Sequence, residues 1–236
     1  MVHAEHAPGW KNSKHAAQWF STLETYAFPK LGNLPVNQID GPMVRDVLAD
    51  IWLVIPETAR RVRQRIGTVL DFAHAKGWRE AEAPMRSVTR GLPKQPKRKQ
   101  HLAAMAWQNV PAFVASMSDT LQVGEPVRLA LEFLILTAAR SGEVRGARWS
   151  EIDFSSETWT VPASRMKGGR EHRVPLSSRA IEILRRMHQL RRTDHPDALV
   201  FEGRKPGKLM SDMTLTMALK RADLPVTVHG FRSAFR

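Results

Sequence analysis

The sequence predicts a mainly α-helical protein with a small antiparallel β-sheet, divided into two domains by a basic linker. Three observations carry this. Apolar residues recur at helical spacing in segment after segment of the 236 residues. Between Thr158 and Leu176 the pattern changes to two short β-type runs separated by a glycine turn. Residues 93–101 combine proline and positive charge with little that can be buried. The expected organisation is therefore a helical domain at 1–92, a linker at 93–101 and a second domain at 102–236. A chain of this length can give each part its own core, and a hydrophobic content of 42% is that of a packed protein.

In the first domain, Ala16, Trp19, Phe20, Leu23 and Tyr26 mark one face of a helix from Asn12 to Ala27, with Asn12 or Ser13 as its cap and Pro29 beyond its end. A second helix begins near Asp40-Gly41-Pro42, where Asp40 can accept from the first free amides and Pro42 suits the first turn. It turns Val44, Val47, Leu48 and Ile51 inward and ends near Trp52. The third buries Ala59, Val62, Ile66, Val69, Leu70 and Ala73 and ends near Lys76-Gly77. Its other positions carry Arg60, Arg61, Arg63 and Arg65, four arginines within six residues. Such crowding costs stability unless an anion lies opposite.

The second domain starts from Val127–Ala139, apolar nearly all round and so expected at the centre of a core. Ser141 can cap a short helix carrying Glu143 and Val144. Thr158-Trp159-Thr160-Val161 reads as a strand, Met166-Lys167-Gly168-Gly169-Arg170-Glu171 as a turn, and His172–Leu176 as the return strand, with Pro175 near an end or edge. Helices follow at Ser178–Arg192 and Ser211–Ala222, and Thr227 can cap a last helix opening with His229-Gly230-Phe231-Arg232.

Lys and Arg number 36 against 23 Asp and Glu, a formal charge of +13, which suits a polyanion, nucleic acid first. No apolar run approaches the ~20 residues of a membrane span, and the amino terminus has no apolar signal region; a cytoplasmic protein without membrane association is expected. Cysteine is absent, which excludes disulfides, thiolate zinc sites and cysteine nucleophiles. The nine histidines form no HExxH, and neither a phosphate-binding glycine loop nor a Gly-x-Ser-x-Gly elbow occurs. No metal and no cofactor are expected.

Two motifs stand apart: Ala139-Arg140-Ser141-Gly142-Glu143 after the buried helix, and His229-x-x-Arg232. With Gln18–Tyr26, Leu136–Trp149 and Arg165–Leu176, they resemble the tyrosine recombinases, in particular prophage integrases of the P4 type, over nearly the whole chain. The resemblance implies a helical, SAM-like core-binding domain followed by a recombinase catalytic domain, duplex DNA as partner and assembly into homo-oligomers on it. It implies that Arg140 and Arg232 clamp the scissile phosphate, a task suited to a guanidinium fork that never loses its charge. Lys167 matches the lysine that protonates the departing oxygen, and His229 the first histidine of the site. Glu143 reads as the residue that orients Arg140. Arg60, Arg61, Arg63 and Arg65, with Lys94, Lys97, Arg98 and Lys99 of the linker, are the candidate DNA-backbone contacts.

In the family, the tyrosine that joins the 3′ phosphate lies carboxy-terminal to the HxxR motif. Here the only tyrosine is Tyr26, on the core face of the first helix. The expectation is a DNA-binding fragment of an integrase that does not cleave by itself. The competing reading is a remnant or interaction module without DNA chemistry.

Overall fold

A computed structural model describes residues 1–10, 13–96, 103–166 and 168–235. The chain separates into two compact units, Met1–Lys99 and Gln100–Arg236.

The first unit is all helical: α1 (Val2–His6), α2 (Ser13–Tyr26), α3 (Phe28–Leu31), α4 (Gly41–Trp52), α5 (Pro56–Ala75) and α6 (Met85–Arg90). Helix α5 is its spine, packed against both α2 and α4. Its stripe of Ala59, Val62, Ile66 and Leu70 meets Trp19 and Leu23 from α2 and Val44, Val47 and Leu48 from α4. The cap on α4 is the one expected, Asp40 Oδ1 accepting from the Met43 amide at 2.9 Å. At Gly77 the backbone turns left-handed (φ +73°) just past the end of α5.

Some expectations fail here for identifiable reasons. Pro29 lies beyond the end of α2 as expected, but the chain does not leave the helical conformation for long: the proline sits in the first positions of the single turn of α3, where the missing amide costs nothing. Phe20 is not a core residue but lies exposed, edge-on to exposed Phe28 with centroids 5.8 Å apart. The two candidate caps of α2, Asn12 and Ser13, cannot be compared, because Asn12 and the side chain of Ser13 lie outside the described residues. The start of the expected linker is tied down: Leu92 is buried, the Trp52 indole donates to the Pro93 carbonyl at 2.7 Å, and Gln95 Nε2 donates to the Trp52 carbonyl at 2.7 Å. These contacts satisfy polar groups at the end of α4, so residues 92–95 belong to the first unit.

The second unit is built around α8 (Glu125–Thr137), with α7 (Val110–Thr120), α9 (Ser141–Arg145), α10 (Ser178–Gln189) and α11 (Thr214–Arg221) and a three-stranded sheet. Strands β1 (Ile152–Asp153), β2 (Thr158–Val161) and β3 (His172–Pro175) pair antiparallel in the order β1-β2-β3, with Trp159 opposite Val174. Pro175 therefore sits on an edge strand, where its missing donor is harmless. Leu129 through Ile135 of α8 are all buried, and Phe133 packs on Trp159 and Phe201 with centroids 5.3 and 5.4 Å away. The one carboxylate in that run, Glu132, is met by a bidentate Arg179 from α10 at 2.6 and 3.0 Å. Without that partner its burial would be prohibitive.

Helix α8 stops at Thr137, two residues short of the expected end, because Ala138 turns left-handed (φ 48°, ψ 26°). The cap of α9 is Arg140 rather than Ser141. The segment at Gly230–Phe235 is a 3-10 helix, with Arg232 N donating to His229 O at 3.2 Å. Thr227 caps it as expected, its hydroxyl accepting from Gly230 N at 2.9 Å.

Candidate nucleic-acid interface

Arg140 is placed by two features of the chain before and after it. The left-handed turn at Ala138 ends α8 abruptly, and buried Ala139 anchors the residue that precedes the arginine. Glu143, one turn into α9, then takes hold from the other side. Its Oε2 accepts from the Arg140 backbone amide at 2.9 Å and its Oε1 from Nη1 at 2.6 Å. Glu143 is 5% exposed and the Arg140 side chain 41%, so a buried anion holds a guanidinium that still faces outward. The remaining donors of the fork are available to an external anion.

Arg165 braces this arrangement from below. Its Nη2 donates to the Glu143 carbonyl at 2.6 Å and its Nη1 pairs with Glu151 at 3.0 Å, while Glu151 also accepts from the Trp159 indole at 3.0 Å. A side chain on Gly146 would come within 3.3 Å of Arg165 Nη1, so this glycine makes room for the brace. The sheet is thereby linked to α9 through one arginine.

The second motif is fixed by its apolar member. Phe231, fully buried, stacks on Phe113 with centroids 5.6 Å apart and planes 13° from parallel. His229 on one side is exposed, and Arg232 on the other is half-buried with no carboxylate partner among the described residues. Gly230 lies beneath the chain at Ala103: a Cβ there would stand 2.1 Å from the Ala103 carbonyl oxygen. That oxygen accepts from both Thr227 N at 2.9 Å and Thr227 Oγ1 at 3.1 Å. Phe231 and Ala139 share one hydrophobic core, so both motifs are carried on the same scaffold. No hydrogen bond joins Arg140 to His229 or Arg232 among the described residues. Lys167 lies outside them; two residues further on, Gly169 has φ +65° and its amide donates to the Met166 carbonyl at 3.1 Å.

In the first unit, exposed Arg60 and Arg61 share Glu57 at 3.5 and 3.2 Å, and Arg63 donates to Thr89 Oγ1 at 2.6 Å. Arg65 corrects the reading of this cluster as one outward-facing set. It is 5% exposed and bonds to the Gln18 carbonyl and the Thr22 hydroxyl, tying α5 to α2. Burial and the neighbouring Arg61 both press its pKa downward. Lys94 is exposed, whereas Lys97, Arg98 and Lys99 lie outside the described residues. Among the described residues no cluster of His, Asp and Glu has the makings of a metal site, and no helix is long and apolar enough to cross a membrane.

The model of the phage integrase family matches residues 105–236, and that of the phage integrase central domain residues 1–89. The chain belongs to the phage integrase family of tyrosine recombinases. It is 34% identical over 229 residues to the prophage integrase IntZ of Escherichia coli strain K12, an alignment covering 96% of this chain and 55% of that one. To the integrase of enterobacteria phage P4 it is 29% identical over 243 residues, with 94% and 53% covered. The chain spans about half the length of the curated relatives it matches. Its fold is similar to that of lambda integrase (75-356), solved as a dimer bound to a COC′ core site, with a TM-score of 0.73 at 17% identity over 98% of this chain and 84% of that one.

Within this integrase-family chain, sequence reasoning identified the Arg140–Glu143 pair but missed Arg165 and the Ala103 contact. The signal for Arg165 was faint: an arginine two residues before Lys167, at the edge of a turn. Nothing local to Ala103 announces that it covers a glycine more than a hundred residues away.

Proposed function

We propose that this chain binds duplex DNA as part of a site-specific integrase, gripping one phosphodiester in its second unit with Arg140, Arg232, His229 and Lys167. The observation that carries the reading is the Arg140–Glu143 arrangement: a buried carboxylate aims a half-exposed guanidinium outward, and a second guanidinium, that of Arg232 beside core residue Phe231, has no carboxylate partner among the described residues. Two permanent cations carried on one scaffold suit the charge that develops on phosphate during strand exchange. Arg60, Arg61, Arg63 and Lys94 supply backbone contacts from the first unit, together with Lys97, Arg98 and Lys99. The DNA-bound lambda integrase dimer of the same fold supports duplex DNA as ligand and assembly of copies upon it.

These residues hold a phosphodiester without attacking it. Tyr26, the one tyrosine of the 236 residues, is half-buried on α2, packed against the core of the first unit. Binding to a core-type duplex measured between about 50 and 500 mM salt is the test; affinity falls steeply if several phosphates are neutralised. Affinity that does not change across that range refutes the DNA-binding reading. On a nicked suicide substrate the 236-residue chain forms no covalent adduct, and an adduct at Tyr26 would refute the assignment of a holding role.

A further inference from the structure

The segment Phe201–Met210 of the second unit is a tight hairpin whose purpose the phosphate pocket does not explain. Lys205-Pro206-Gly207-Lys208 has the residue order of a type II turn, proline second and glycine third. Gly207 has the required positive φ (+65°), and Lys208 N donates to the Lys205 carbonyl at 3.2 Å. Behind the turn, Gly203 N donates to the Lys208 carbonyl at 2.7 Å, and Glu202 bridges Leu209. The two legs approach so closely that a Cβ on Gly203 would meet the Leu209 oxygen at 2.6 Å. Phe201 and Met210 are buried and anchor both ends.

This rigid turn presents three exposed cations, Arg204, Lys205 and Lys208, and none has a carboxylate partner among the described residues. The nearby carboxylate, Glu202, faces Arg192 instead, at 3.9 Å. Lys205 and Lys208 occupy the first and last positions of one turn, so their ammonium groups are held on a short span of backbone. Like charges so placed repel, and no carboxylate paired with them among the described residues offsets the cost. The hairpin is also joined to the helix that begins just after Arg140: Arg145 of α9 donates from Nη1 to the Met210 carbonyl at 2.7 Å. A cationic turn is thus braced against the element that positions the phosphate-clamping arginine.

We propose that Arg204, Lys205 and Lys208 form a second DNA-backbone site, contacting phosphates other than the one held by Arg140 and Arg232. The proposal rests on the DNA-binding reading above. The proline-glycine turn fixes the backbone from which the three cations extend, so little main-chain freedom is lost on meeting a phosphate strand, and such contacts fix register without reading sequence. The experiment compares the full chain with the triple variant R204Q/K205Q/K208Q, the charge-keeping variant K205R/K208R and the control R185Q, which removes an exposed cation from α10. Each is titrated with the same duplex over a salt series, and folding is checked by thermal unfolding.

The triple variant is expected to bind core-type and unrelated duplexes more weakly by the same factor. Its slope of log affinity against log salt should be shallower by about 2 to 3, at roughly 0.9 for each phosphate that is no longer neutralised. The charge-keeping variant and R185Q should retain the wild-type slope. If the wild type binds with strong salt dependence and the triple variant keeps its slope, the second site is refuted and the turn is left for an acidic protein partner. If the wild type shows no salt-dependent binding at all, it is the underlying DNA-binding reading that falls. An ethylation-interference pattern identical in wild type and triple variant would likewise overturn the proposal.

Discussion

At the scale of single residues, the proposed phosphate site depends on Glu143 and Ala138, neither of which need touch DNA. Glu143 holds both the backbone and the guanidinium of Arg140. Glu143→Gln keeps the shape and one acceptor oxygen but removes the charge that restrains the guanidinium. DNA affinity of the chain is expected to fall about tenfold, equivalent to about 1.4 kcal/mol, with a much smaller change in melting temperature. Unchanged affinity would show that Arg140 needs no restraint. Ala138 occupies left-handed backbone, which costs an L-residue roughly 1 to 2 kcal/mol, while glycine there costs about 0.5 to 1 kcal/mol in unfolded-state freedom. Ala138→Gly should therefore raise stability by up to about 1 kcal/mol, read as a higher urea midpoint. A lower midpoint would mean that the left-handed turn is not strained.

At the scale of elements, α5 turns its arginines two ways, Arg65 inward and Arg60 and Arg61 outward. Arg65 joins α5 to α2 from within, so Arg65→Ala removes its bonds to the Gln18 carbonyl and the Thr22 hydroxyl and leaves a void, and about 2 to 3 kcal/mol of stability should be lost. Arg61→Gln on the outer face should leave stability within about 0.5 kcal/mol and reduce the salt dependence of DNA binding. Denaturant unfolding and binding titrations on the two variants separate these roles; equal stability losses would contradict the division. The helical period made the core stripe of α5 legible, because Ala59, Val62, Ile66 and Leu70 repeat at the spacing that buries one face. It could not reveal Arg65. A long side chain beside the stripe reaches inward or outward according to whether a distant carbonyl awaits it, and that depends on how α2 packs. The same limit hid Ala103 over Gly230, whereas the Asp40 cap and the β2–β3 pairing were legible because they use neighbours in sequence. Gly230→Ala should disrupt that contact and lower the melting temperature sharply, since the obstructing atom is a backbone oxygen and not a movable side chain. A variant with wild-type melting behaviour and an unchanged exchange rate at the Thr227 amide would contradict the close approach.

For the whole molecule, the excess of positive charge makes each carboxylate a site where self-repulsion is relieved, and this ties stability to pH. Glu125 is held below the usual carboxylate range, chiefly by its hydrogen bonds from Arg186, which joins α10 to the start of α8. Asp153 is held lower still, first by the hydroxyls of Ser155 and Ser156 and then by their amides, which close the turn between β1 and β2. Both groups bind protons more weakly folded than unfolded. Their contribution is therefore complete above the unfolded carboxylate pKa of about 4 and is lost as pH falls below it toward the folded values. Protonation also adds to a net charge that is already +13 at neutral pH, so the second unit should weaken while the sign of the charge still favours DNA. Urea unfolding of the chain at intervals between about pH 7 and pH 2.5 should show a flat stability down to about pH 4 and a decline below it. In the double variant E125Q/D153N that decline should be shallower, because two of the groups that drive it are gone. A decline as steep as that of the wild type would place the acid sensitivity in other carboxylates and leave these two pairs without weight in the stability of the fold.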